Sequence, residues 1–109
     1  LVLEGLYKNY GDLPPLKKML KLKNEHCFRI VLDDTYGFGV LGKTGRGTLE
    51  HLGVALDDVD ILTAGLDAAI GSVGGFCVGK KDVVYHQRIN AAGYVYSAKG
   101  CFNCNVFDK

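Results

Sequence analysis

The apolar positions of this chain fall in short blocks, separated by glycine and by charge. The first, Leu1-Val2-Leu3 and on to Tyr7, reads as a strand over 1–7 leading into a polar turn, Asn9-Tyr10-Gly11-Asp12. Leu16, Met19 and Leu20 then recur at helical spacing, with the stem of Lys23 on the same face. Lys17, Lys18 and Lys21 fall on the solvated side, an ordinary water-facing cluster rather than a binding patch. This pattern predicts a helix over 16–26, with Asp12 as the capping carboxylate and Pro14-Pro15 where no N–H is needed. Phe28-Arg29-Ile30-Val31-Leu32 is mostly apolar, as a strand covered on both faces should be. It ends on two carboxylates, Asp33 and Asp34, and a glycine-rich loop over 35–47 follows.

Thr48 is placed to cap a short helix through Leu49 and Leu52 that Gly53 stops. A strand is expected over 59–63, a small glycine-spaced stretch over 66–73 and a short strand over 76–78. A helix over 81–90 would carry Val83, Val84 and Ile89 as its apolar members. A final strand is expected over 93–97, where Tyr94 and Tyr96 alternate with Val95. The alternation of strands and helices predicts an α/β domain with a mostly parallel sheet. Such a sheet needs helices on both faces, and two or three short ones barely supply them. The missing layers are therefore expected in sequence beyond this stretch. The opening Leu1-Val2-Leu3-Glu4, without Met, likewise reads as the middle of a protein.

Composition narrows the function. The 109 residues suit one domain or a piece of one, and 48% are apolar, enough for a core. Thirteen basic and twelve acidic residues nearly cancel, so there is no electrostatic case for nucleic acid. The stretch poorest in charge, 61–79, is interrupted by Asp67 and dotted with glycine, which excludes a transmembrane helix there. No signal peptide opens the chain. Cys27 and Cys77 border or lie within apolar runs and read as buried free thiols. Cys101-Phe102-Asn103-Cys104 is a lone C-x-x-C: no second pair completes a zinc site, and no helix pattern follows for a redox pair. His26, His51 and His86 share no metal spacing and are expected at the surface.

The candidate chemistry lies at Asp33 and in the loop after it. Ligands of open α/β sheets bind at the carboxyl ends of the strands, and a charge at a buried strand tip is costly unless paired. The loop contains Gly37-x-Gly39-x-x-Gly42 and also Gly37-x-x-x-x-Gly42-Lys43-Thr44, a dinucleotide fingerprint and a P-loop match on paper. Both need a helix opening at the last glycine so that its N-terminus faces the phosphates. Gly45 and Gly47 interrupt that helix, and Asp33 and Asp34 are poor neighbours for an anion. A phosphate loop built on Lys43 and Thr44 is thus the minor alternative. The plainer one is a turn whose glycines let backbone pass close to a neighbour.

Four ordered blocks resemble one family. Leu32-Asp33-Asp34-Thr35-Tyr36-Gly37-Phe38-Gly39-Val40-Leu41-Gly42 with Gly45-Arg46-Gly47 is similar to the aspartate strand and loop of the α-oxoamine synthases. These are pyridoxal-phosphate enzymes of aminotransferase-like, fold type I architecture that condense an amino acid with an acyl-coenzyme A and release carbon dioxide. Glu4-Gly5-Leu6-Tyr7 with Gly11-Asp12 and Pro15-Leu16 resembles the segment before that strand. Ser72-Val73-Gly74-Gly75-Phe76-Cys77-Val78-Gly79 resembles the segment after the cofactor lysine, and His86-Gln87-Arg88 with Gly93-Tyr94-Val95-Tyr96-Ser97-Ala98 resembles what comes next.

The resemblance implies that residues 1–98 are part of the large, major domain of such a transferase. In catalytic members a Ser-Lys-Ala segment precedes Gly-Gly, and its lysine forms the Schiff base with the cofactor. Aligned on Gly74-Gly75, Ala68 stands at that position, and a methyl group cannot form an imine. Asp33 matches the aspartate that pairs with the pyridine nitrogen and keeps it protonated, so that the ring acts as an electron sink. Tyr36 stands where a histidine usually contacts the cofactor's ring, and Gly37 where serine is common. Asp33 and Tyr36 are thus vestigial cofactor-binding candidates. The bland alternative for Asp33 is a strand-end carboxylate satisfied by backbone N–H groups or Arg46.

The likeness is to the lysine-less subunit of heterodimeric members. It implies pyridoxal phosphate held by a lysine-bearing partner, serine and palmitoyl-coenzyme A at the shared site, and a place on the cytoplasmic face of the endoplasmic reticulum membrane. The region of Tyr94 and Tyr96 would lie near the dimer contact. An active synthase with a displaced lysine, Lys80 or Lys81, is the alternative. From Lys99 the likeness ends. Residues 99–109 are expected to be a disordered, off-family tail from an out-of-frame or unspliced end.

Overall fold

The computed structural model describes residues 1–96 and 106–108. Five strands form one sheet in the order β1 (Val2–Glu4), β2 (Val31–Asp33), β3 (Ile61–Gly65), β4 (Gly75–Gly79), β5 (Val106–Asp108). β1, β2 and β3 are parallel, with Glu4, Asp33 and Thr63 in register at their carboxyl ends. β4 runs antiparallel to β3, and β5 parallel to β4. The sheet is therefore mostly parallel, as the element order predicts. The reversal at β4 has a simple cause: a parallel crossover needs a dozen or more residues, and only 66–74 separate β3 from β4.

The helices are α1 (Leu16–His26), α2 (Thr48–Leu52), α3 (Asp67–Ile70), α4 (Lys81–Asn90) and α5 (Ala92–Val95), with a 3-10 turn at Leu56–Asp58. Leu16 of α1, Ile30 and Leu32 of the β2 segment, Leu49 of α2 and Val59 before β3 form the buried core. Leu3, Met19, Leu20, Phe28 and Leu62 pack around it. Burying each such side chain is worth about 1.5–3 kcal/mol. None of the described helices is long and apolar enough to cross a membrane.

Four local expectations are corrected. Asp12 does not cap α1: Pro15 holds the N-cap position with no side-chain bond, because the two prolines carry the chain three residues past Asp12 before the helix starts. Asp12 instead closes the preceding turn, its carbonyl accepting from Tyr7 N–H at 3.0 Å. Cys27 is exposed, not buried: it ends α1 in a left-handed conformation (φ 53°) that turns the chain off the helix at the surface. Residues 92–95 are helix α5, not strand, with Val95 N–H bonded to Ala91 O at 2.9 Å and Tyr96 N–H to Ala92 O at 3.1 Å. The sheet edge such a strand would need, beside β4, is taken by β5. Those three β5 residues also lie in the stretch expected to be disordered. Ser97, Cys101 and Cys104 fall outside the described residues.

Candidate functional site

A strand alternates its faces, so Ile30, Leu32 and Asp34 share one side of the β2 segment, and all three are buried. Asp34, 1% exposed, is the carboxylate the fold encloses. Thr48 donates to both its oxygens, Oγ1 to Oδ1 at 2.5 Å and N–H to Oδ2 at 2.9 Å. Thr48 is thus the first residue of α2, with Gly47 at the N-cap position, and its hydroxyl serves Asp34 rather than the helix end. Gly5, Gly37 and Gly47 wall the carboxylate so closely that a Cβ on any of them would overlap its oxygens. Burial pushes the Asp34 carboxyl above its ordinary value, the two Thr48 bonds pull it back, and the charge of Asp33 adds to the rise.

The glycine loop is tied up internally. Gly37 and Phe38 N–H donate to Asp34 O at 3.1 and 2.8 Å, Gly39 N–H to Gly45 O and Gly47 N–H to Leu41 O, both at 2.9 Å. Glu50 accepts from Thr44 N–H and Arg46 N–H at 3.1 Å and from Thr44 Oγ1 at 2.9 Å. Partial burial pushes Glu50 up, but the Thr44 bonds, the Arg46 N–H and the Arg46 charge outweigh it and hold the carboxyl below its usual range. The amides a P-loop would turn onto phosphate are thus turned onto Glu50, Lys43 is exposed, and the following helix starts only at Thr48 with five residues.

Asp33 faces the other way, half-buried, at the carboxyl edge. Its Oδ1 accepts from Thr35 N–H at 2.9 Å, so a backbone N–H and not Arg46 is its partner. Among the described residues its Oδ2 has no hydrogen-bond partner. Tyr36 is half-buried three residues on, with the Lys8 ammonium 5.4 Å from its ring centroid. Phe38 meets Phe76 of β4 edge-on, centroids 4.9 Å apart.

Ala68 is exposed on the four-residue helix α3, just past the carboxyl end of β3. The two edges are tied: Gly65 N–H donates to Thr35 Oγ1 at 2.8 Å, and Gly39 lies against Ala69. Asp33, Tyr36 and Ala68 therefore share one edge of the sheet. Lys80 and Lys81 do not. Cys77 of β4 is level with Asp33, so Lys80 stands three residues, about 10 Å, toward the opposite edge.

His26, His51 and His86 are exposed, and among the described residues no three metal-ligating side chains gather. Cys77 Sγ donates to Gln87 Oε1 at 3.3 Å. Asp60, 7% exposed, was not anticipated. It accepts from Ile30 N–H at 2.8 Å and pairs with Lys23 Nζ at 2.7 Å and Arg29 at 3.3 Å, pinning α1 to the sheet.

A glycine loop between an aspartate-tipped parallel strand and its neighbour, with a short helix on the same edge, puts the candidate site at the carboxyl edge of an α/β sheet. The profile of the aminotransferase class I and II family matches residues 1–102, and the chain belongs to that family. It is 49% identical over 98 residues to "Serine palmitoyltransferase 1" of Dictyostelium discoideum and 47% identical over 98 residues to "Long chain base biosynthesis protein 1b" of Oryza sativa subsp. japonica. Each alignment covers 90% of this chain and 20% of the relative, so the chain spans about a fifth of their length. Among solved structures, a serine palmitoyltransferase of Sphingomonas wittichii superposes with a TM-score of 0.80 at 37% identity, over 90% of this chain and 24% of that one. Another, solved with PLP, gives 0.80 at 31% identity with the same coverage.

Proposed function

We propose that this stretch is the central part of the major domain of a non-catalytic subunit of serine palmitoyltransferase. The subunit completes a heterodimer with a lysine-bearing partner. That partner performs most of the condensation of L-serine with palmitoyl-coenzyme A to 3-ketosphinganine, the first product on the way to sphingolipids. The observation that carries this reading is Ala68. It lies on the same sheet edge as Asp33 and offers only a methyl group, and the family resemblance puts it at the position of the cofactor lysine of catalytic members. The names of the relatives supply the reaction. The reading places the complex on the cytoplasmic face of the endoplasmic reticulum membrane, anchored by segments outside this stretch.

The residues fit half of pyridoxal phosphate. Asp33, with one oxygen unpartnered among the described residues, suits a protonated ring nitrogen. No amine stands at Ala68 to meet the aldehyde. When bound, the cofactor supplies an electron sink for the α-carbon chemistry. In this reading the partner holds it, and Asp33 and Tyr36 are vestigial here.

The test is reductive trapping. Full-length protein, alone and then with its lysine-bearing partner, is treated with pyridoxal phosphate and borohydride, digested and searched by mass spectrometry for pyridoxyl-lysine. The expected result is a specific adduct on the partner only. A specific adduct on Lys80 or Lys81 would mean an active synthase with a displaced lysine and would overturn the proposal.

A further inference from the structure

We draw no further inference here: the strongest candidate, the exposed apolar surface of Val40 in the glycine loop and of Ile70 and Val73 in the connection between β3 and β4, carries nothing because nothing in the structure shows what covers it.

Discussion

Thr48→Val tests whether Asp34 holds the glycine loop in place. Valine keeps the shape and β-branch of threonine and the backbone N–H that donates to Asp34 Oδ2 at 2.9 Å. It deletes only the hydroxyl that donates to Oδ1 at 2.5 Å. Both residues are sealed, at 0% and 1% exposure, so no water replaces the lost donor. A hydrogen bond to a charged acceptor is worth about 1.5–3 kcal/mol. At about 1.4 kcal/mol per factor of ten, that loss raises the population of the opened loop roughly ten- to a hundredfold. Hydrogen exchange on the full-length protein reads this directly at the amides that close the loop, those of Gly37, Phe38 and Gly47. Their exchange is expected to accelerate by that factor at pH 7. As pH falls toward the raised value of Asp34 the penalty should shrink, because burial already pushes that carboxyl upward and the variant removes one of the bonds that oppose it. Exchange unchanged at all three amides would refute Asp34 as the centre of the loop.

Gly47→Ala is expected to destabilise the same loop by at least about 2 kcal/mol, since Gly47 sits at φ 91° with an added Cβ overlapping Asp34 Oδ2; accelerated loop exchange checks it. At Asp60, burial pushes the carboxyl up, but the Lys23 bond, the Ile30 N–H and the charges of Lys23 and Arg29 hold it below the ordinary 3.8. Its stabilisation is therefore full above that value and is lost as pH falls through the lower folded value. Lys23→Met should cost about 1.5–3 kcal/mol at pH 7 and flatten that acid limb, measured by urea midpoints from pH 3 to 7; an unchanged limb would refute the pairing.

Much of this arrangement is legible from spacing. The apolar positions of α1 give its limits, and Gly53 ends α2 in the left-handed conformation its place predicts. The carboxylates are legible only in part. Asp33 draws notice as a charge at a strand tip, yet the alternation Ile30, Leu32, Asp34 points to the other aspartate as the buried one. Asp60 and Glu50 escape notice because their partners lie 30 or more residues away, at Ile30 and Lys23, or in loop amides whose direction spacing does not encode. Lys8 is missed for a similar reason, since only the parallel pairing of β1 with β2 brings it over Tyr36. The strand expected over 93–97 is replaced at Ala92–Val95 by a helical turn, whose local bonds the alternation of Tyr and Val does not reveal.

The glycine spacing that imitates a phosphate loop follows from two internal anions. Gly5, Gly37 and Gly47 are small because Asp34 fills the space beside them, and Gly42 because Glu50 does. With Asp60 holding α1 to the sheet, three carboxylates built into the chain fix the loop and the strands around the edge. None of them draws on a cofactor or on an amine at position 68. Ala68, exposed on a four-residue helix, carries none of this load. The residues that could touch a cofactor and the residues that hold the fold are thus different sets. A chain of this design keeps its shape with no amine at position 68, and that is what the proposed reading as a scaffold subunit requires.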